Sequence, residues 1–274
     1  TVKFALRLQD GEIVETVRMG YRFGYSVCVS SQVGCNMGCR FCASTLGGKT
    51  RDLTAGEMIE QVLTVQRELL PQRRRVGHIV MMGMGEPLDN YDEVVRFLHM
   101  AHDPSGLNIS YRHMTLSTSG LVPGMRRLAD EGLPVTLAVS LHAPNDTVRR
   151  RIVPLANKYP LQQVLDAAKH YVDATGRRLT FEYTLIDGVN DDAEHARELA
   201  RLLRGINAHL NLIPLNPTGR GLEPSPPQQV ETFRQILDRS GIAVTVRRTL
   251  GQEIQAACGQ LRRHHLEVGG HSRT

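Results

Sequence analysis

The chain has 274 residues, 41% of them hydrophobic, five cysteines and a formal charge of +5. That length buries one sizeable core, about what a single α/β barrel needs, and no apolar run approaches the roughly 18 residues of a membrane span. The opening Thr1-Val2-Lys3-Phe4 lacks a secretory signal's charged start and long apolar stretch. A cytoplasmic, reducing compartment is therefore expected, where clustered cysteines mean metal or catalysis and not a disulfide framework.

Alternation at 2–8 and 13–19 around Asp10-Gly11 predicts a β-hairpin. Short β-rich apolar runs follow at 25–30, 78–82, 112–117, 135–141, 179–186, 209–214 and 242–247. Between them helical periodicity spans 54–70, 91–101, 122–131, 161–174, 192–203 and 228–239. Such strand–helix alternation makes parallel βα units, hence an α/β open or partial barrel with its site at the strands' C-terminal ends. Segment 217–227 reads as a loop and 264–274 as a mobile tail. The expected divisions are a hairpin extension at 1–20, a barrel at 21–250 and a tail at 251–274, and the absent initiator Met reads as a fragment or processed form.

Basic clusters recur at Arg73-Arg74-Arg75, Arg126-Arg127, Arg149-Arg150-Arg151, Arg177-Arg178 and Arg247-Arg248. They suit a polyanionic partner. Dispersed arginine pairs read equally as solvated faces, so charge alone leaves nucleic-acid binding open.

The motifs fall at the strand ends. After the first parallel strand comes Cys35-Asn36-Met37-Gly38-Cys39-Arg40-Phe41-Cys42, a C-x3-C-x2-C loop. A cubane [4Fe-4S] cluster normally takes four thiolates, so three would leave one iron free for another ligand. The competing reading is a Cys3His zinc site; His78 is the nearest histidine, and zinc knuckles favour other spacings, so iron–sulfur ligation is preferred. Gly83-Met84-Gly85-Glu86-Pro87 ends the second strand, Ser117-Thr118-Ser119-Gly120 the third and Ser140-Leu141-His142 the fourth. The methionines of Met81-Met82-Gly83-Met84 read as strand core before they read as a binding device.

These residues carry a resemblance. The cysteine loop, the Gly-Glu-Pro strand end and the partial barrel resemble the radical S-adenosylmethionine superfamily. More narrowly, Cys28-Val29-Ser30-Ser31-Gln32-Val33-Gly34-Cys35, the segments 83–87, 116–120, 140–146 and 211–217, and Ala256-Ala257-Cys258-Gly259-Gln260-Leu261 resemble the RlmN/Cfr family of RNA adenosine methyltransferases. The match runs from about Glu15 to Leu261. The resemblance implies a partial (β/α)6 radical-SAM barrel with an N-terminal β-hairpin extension and a C-terminal strand or tail over the mouth; the family's helical accessory domain has no counterpart at the front of this sequence.

Adenine C2 is electron-poor and cannot displace a methyl group from a sulfonium as an ordinary nucleophile, so radical chemistry and a methyl carrier are needed. A cofactor supplies the radical while the protein positions it, and a thiol suits the carrier because a thiolate accepts a methyl group readily. The resemblance assigns these parts. A [4Fe-4S] cluster on Cys35, Cys39 and Cys42 cleaves S-adenosylmethionine, two molecules being used per turnover. Cys258 is the S-methylcysteine carrier, and Cys28 releases product through a transient disulfide with it. Glu15 accepts the C2 proton. Gly85 and Glu86 meet the amino group of S-adenosylmethionine, Ser117 and Ser140, Leu141 and His142 its ribose and carboxylate, and Asn216 its adenine.

Read without the resemblance, Cys28 and Cys258 are buried thiols, Glu15 a solvated hairpin carboxylate, and His142 as much a core histidine as a ligand. The implied partners are 23S ribosomal RNA and transfer RNA with a flavodoxin-like electron donor, no membrane, and a monomer in solution. The alternatives are a Cfr-like reaction at adenine C8 and, from another class, a non-catalytic iron–sulfur RNA-binding module.

Overall fold

The computed structural model describes residues 1–247 and 251–261. The predicted hairpin forms from β1 (Val2–Arg7) and β2 (Ile13–Tyr21). β2 then turns back at once into β3 (Gly24–Cys28), again antiparallel, so the hairpin is continuous with the barrel's first strand. A ribbon of β4 (Gln32–Gly34) and β5 (Lys49–Asp52) brackets the cysteine loop. It had no sequence signal, being three and four residues long with no alternating pattern.

From β3 onward the chain alternates. Helix α1 (Ala55–Leu69) leads to β6 (Val76–Met81), α2 (Tyr91–His102) to β7 (Met114–Thr118) and α3 (Val122–Asp130) to β8 (Thr136–Ser140). Next come α4 (Asp146–Ile152) and α5 (Leu161–Thr175), then β9 (Leu179–Leu185), α6 (Ala193–Leu203), β10 (Ala208–Pro214), α7 (Pro227–Arg239) and β11 (Val244–Val246). Thr54 and Glu57 close a capping box that starts α1 where the periodicity predicted. Helix α4 was not foreseen: it is seven residues long and carries three consecutive arginines, so no apolar period marks it.

The sheet runs β1-β2-β3-β6-β7-β8-β9-β10-β11, with β3 to β11 all parallel. Six crossovers thus join seven parallel strands, and among the described residues β1 and β11 are unpaired edges, which leaves the barrel open. The pairing register sorts the side chains. Ile79, Met81, Leu116, Leu137, Val139, Phe181 and Leu212 lie in the apolar core shared with the helices, where α1 packs on α2, α3 on α5 and α6 on α7. The alternate residues Ser117, Ser140, Glu182 and Asn211 look into the concave side, so one face of each strand builds the core and the other lines a cavity.

Segment 217–227 lacks helix and strand up to the start of α7, apart from a single bridge between Ile186 and Pro224, as its composition predicts. The tail expected at 264–274 lies outside the described residues.

Candidate active site

A cavity of about 890 Å³ opens at the C-terminal ends of the parallel strands. Cys35, Cys39 and Cys42 line one wall. The loop that carries them is fixed at both ends. Gly34 has φ +79°, and a side chain there would strike the Gly48 carbonyl at 1.9 Å, so only glycine lets β4 and β5 close under the loop. At the far end Arg220 Nη1 donates to the carbonyls of Cys39 and Cys42, each at 3.1 Å, and to Thr45 Oγ1 at 2.7 Å.

All three cysteines are free thiols, and burial raises their pKa values, that of Cys35 to about 12. Thiols so situated need a metal to ionise them. Among the described residues no three His, Cys, Asp or Glu side chains converge as ligands of a single ion would. Thiolates that each bind a different iron of a cubane have no need to converge, so the donor set fits a cluster better than mononuclear zinc.

The opposite wall comes from the ends of β6 to β10. Gly85, at φ +106°, packs so closely on Gln32 that a Cβ would lie 2.7 Å from that side chain. Glu86 is buried; its carboxylate accepts hydrogen bonds from Ser119 N at 2.7 Å, Ser119 Oγ at 2.8 Å and Leu88 N at 3.2 Å. Burial still raises its pKa, so the site favours a cation beside it. Ser117, Ser140, His142 and Asn216 also line the cavity. His142 adopts φ +58° and accepts from Thr184 N at 2.9 Å through Nδ1, which leaves the proton of the neutral ring on Nε2. Burial lowers its pKa to about 3. It is therefore both a satisfied buried histidine and a cavity residue. Leu141 differs from its neighbours: its side chain lies in the apolar core, away from the cavity lining.

A second cavity, of about 560 Å³, adjoins the first and shares Met82, Ile213, Asn216, Arg247 and Cys258 with it. Cys28 and Cys258 both line it. The segment carrying Cys258 is pinned over the cysteine loop, with Ala43 N donating to Gly259 O at 2.7 Å and Ser44 Oγ to Leu261 O at 2.6 Å. Asn216 Nδ2 donates to Cys258 O at 3.0 Å, so the residue expected against adenine also holds the tail. Arg247 Nη1 approaches Cys258 Sγ at 3.7 Å. Cys258, followed by Glu182, Cys28 and Tyr21, raises the Arg247 pKa against the cost of burial. Burial, with Cys258 adding to it, pushes the Cys28 thiol up to about 12.

Glu15 is 1% exposed, not the solvated hairpin carboxylate of the plain reading. It pairs with Lys3 Nζ at 2.8 Å, and Lys3 also donates to Gln255 O at 3.3 Å, which ties the hairpin to the tail. Neither cavity lining includes Glu15.

Three functional residues escaped sequence reasoning. Glu182 lines the main cavity with Oε2 unpartnered among the described residues and its pKa raised by burial. A lone acid in Leu179-Thr180-Phe181-Glu182-Tyr183 was the available signal. Arg149 is fully buried and clamps the strand ends, donating to Ser119 O at 2.7 Å and Leu141 O at 3.1 Å. Its cluster reads as a solvated face, which holds for Arg150 and Arg151 and fails for Arg149. Arg247 was masked in the same way by the pair Arg247-Arg248. Met82 likewise faces both cavities and Met81, although buried in the core, reaches the main one, whereas Met84 is core alone.

The profile of the Radical SAM superfamily matches residues 29–200. A protein of Symbiobacterium thermophilum named "Probable dual-specificity RNA methyltransferase RlmN" is 59% identical over 265 residues, covering 96% of this chain and 71% of its own. One of the same name from Desulforamulus reducens is 55% identical, covering 97% and 75%. The crystal structure of a radical SAM methyltransferase from Sphaerobacter thermophilus superposes with a TM-score of 0.93 at 51% identity, over 94% of this chain and 76% of that one. SuiB of Streptococcus suis, solved bound to S-adenosylmethionine, shares the fold at 13% identity, with a TM-score of 0.59 over 85% of this chain and 55% of that one.

Proposed function

The chain belongs to the RlmN branch of the radical S-adenosylmethionine RNA methyltransferases, and from that membership we propose that it methylates C2 of an adenosine in 23S ribosomal RNA and in transfer RNA through a methyl group carried on Cys258. The observation that carries this reading is the shared cavity of Cys28 and Cys258, with Arg247 between cofactor wall and carrier. A non-catalytic binding module has no use for two opposed thiols beside a cluster loop.

Cys35, Cys39 and Cys42 would hold the [4Fe-4S] cluster that the family implies, which supplies the electron for breaking a carbon–sulfur bond of S-adenosylmethionine. Gly85 and Glu86 receive the ammonium of S-adenosylmethionine, Glu86 as the buried anion that pairs with it. Ser117, Ser140 and His142 orient the ribose and carboxylate, and Leu141 contributes backbone only. Arg247, 3.7 Å from Cys258 Sγ, holds that sulfur as it takes a methyl group from the first S-adenosylmethionine. The methylated carbon then gives up one hydrogen atom, which leaves in the 5′-deoxyadenosine formed from a second S-adenosylmethionine, and bonds to adenine C2; the C2 proton passes to Glu15 and the one unpaired electron of the adduct leaves to the external electron carrier, so that a closed-shell thioether remains. Cys28 sulfur attacks Cys258 sulfur: the S–S bond forms, the bond from sulfur to the new carbon breaks, and its electron pair stays on that carbon, which takes a proton to become methyl. Because Glu15 stands behind Lys3 outside the two cavities, this step requires the Lys3 contact to open when RNA enters.

Nucleoside mass spectrometry of RNA treated anaerobically with the reconstituted protein, S-adenosylmethionine and a reductant tests the reading. It expects 2-methyladenosine and 5′-deoxyadenosine. 8-Methyladenosine alone would transfer the protein to the C8 reaction, and absence of both products would leave only a binding module.

A further inference from the structure

A row of aromatic rings stands at the other end of the barrel, where the parallel strands begin. Tyr21 and Phe23 occupy the β2–β3 turn with ring centroids 4.9 Å apart and planes 7° from parallel. Phe23 meets His78 of β6 edge-on at 5.0 Å, and His78 lies 4.4 Å from His113, the residue before β7. These rings are not core. Phe23 leaves 67% of its surface to solvent and Tyr21 38%, the former the most exposed large apolar side chain among the described residues. Burial and the neighbouring His113 lower the pKa of His78, and its Nδ1 has no hydrogen-bond partner among the described residues.

Two independent features tie this row to a ligand. First, it is continuous with the site: Tyr21 lines the same cavity as Cys28, Arg247 and Cys258, so the row runs from that cavity to the surface. Second, its surroundings carry one sign of charge. In the sequence Arg22 separates Tyr21 from Phe23, Arg73-Arg74-Arg75 precede β6 and Arg112 precedes His113, while segments 20–26, 72–78 and 110–113 contain no Asp or Glu. Of the clusters that read in the sequence as solvated faces, Arg73-Arg74-Arg75 leads directly into β6, the strand that carries His78. Aromatic faces flanked by arginine are the arrangement that holds unpaired nucleotides, the rings stacking on bases and the guanidinium groups meeting phosphates.

We propose that Tyr21, Phe23 and His78 form a stacking platform for an unpaired base of the RNA whose target adenosine is drawn into the Cys28–Cys258 cavity. The proposal deepens the RNA-methyltransferase reading and rests on it. Stacking on the platform stabilises the splayed strand that chemistry on a single base demands, and it adds selectivity for loops over duplex without reading sequence.

The chain contains no tryptophan, so Phe23→Trp places a single reporter in its platform. Titration with a short RNA hairpin having unpaired adenosines in its loop should quench the emission of that variant, whereas the same strand annealed into a complete duplex should not. Phe23→Ala should raise KM for the hairpin roughly 5- to 100-fold, the range of losing one stacked base, with kcat, S-adenosylmethionine binding and the salt dependence of RNA binding unchanged. Phe23→Leu, apolar but unable to stack, should match Phe23→Ala, and Arg22→Ala should instead lower the salt slope by about one. Emission unmoved by saturating hairpin, or Phe23→Leu binding like wild type, overturns the platform while methylation by the wild-type protein leaves the enzymatic reading intact. Failure of the wild-type protein to bind or methylate either RNA overturns both.

Discussion

Arg247 Nη1 lies 3.7 Å from Cys258 Sγ, with its own backbone N–H bonded to Leu212 O at 2.8 Å. The last barrel strand thereby aims a guanidinium at the thiol of a segment that is otherwise pinned to the cysteine loop. A guanidinium at this range donates to the sulfur and holds it in one orientation. Losing that charge-assisted contact in Arg247→Gln should slow methyl loading of Cys258 by roughly ten- to a hundredfold, with Arg247→Lys between the two. Intact-protein mass after timed exposure to S-adenosylmethionine reads the rate, and equal loading in Arg247→Gln and wild type would remove Arg247 from this role.

Cys28 is set up differently. Burial pushes its thiol up to about 12, so at neutral pH the protonated form dominates and the thiolate fraction climbs tenfold per pH unit. Release of product from the protein–RNA adduct should accelerate about tenfold per unit between pH 7 and 9. Cys28→Ala should accumulate that adduct on denaturing gels, and Cys258→Ala should show none. A flat pH profile, or adduct in the Cys258 variant, would reverse or discard these roles.

Two buried carboxylates, Glu15 and Glu182, are candidates for the base in the proposed reaction. Glu15 is screened by Lys3, whereas Glu182 lines the main cavity with an unpartnered oxygen. Glu15→Gln should still load Cys258 and bind RNA, yet lower methyl transfer by about 10²- to 10⁴-fold, the usual worth of a general base. Glu182→Gln should keep transfer within about tenfold of wild type on the same scale. The reverse ordering, read in single-turnover assays, would assign the base to Glu182.

Arg149 carries a stability prediction. Burial lowers its pKa to about 10, so the group stays charged at neutral pH. Arg149→Met strands the carbonyls of Ser119 and Leu141 without their donor and should cost about 3 kcal/mol of stability, with weakened S-adenosylmethionine binding because Ser119 positions Glu86. Denaturant unfolding measures the first and equilibrium dialysis the second; unchanged midpoints would show that the clamp is dispensable.

What the sequence made legible follows from where its signals are local. Helix starts such as the Thr54–Glu57 box, and strands with alternate apolar positions, announce themselves within a few residues. The cysteine loop does so too, because its three cysteines lie within eight residues of chain. Convergence is different. Arg149, Glu182 and Arg247 sit on three elements, and nothing in their neighbours distinguishes an arginine that turns inward from one that stays in water. Cys28 and Cys258 are separated by 230 positions, so only a family resemblance paired them before the fold brought them to one cavity. The short α4 and the β4–β5 ribbon escaped for another reason: elements of three to seven residues have too few positions to show a period.

The proposed passage of the methyl carbon through Cys258 can be followed with an isotope. The protein, loaded on Cys258 from S-adenosylmethionine bearing a trideuterated methyl group and freed of excess reagent, is given RNA, reductant and unlabelled S-adenosylmethionine for one turnover. Mass spectrometry of the released 2-methyladenosine should then find two deuterium atoms in its methyl group, one having left in forming the bond to the base. Retention of all three would mean intact methyl transfer without hydrogen loss, and retention of none would mean that the methyl group never came from Cys258.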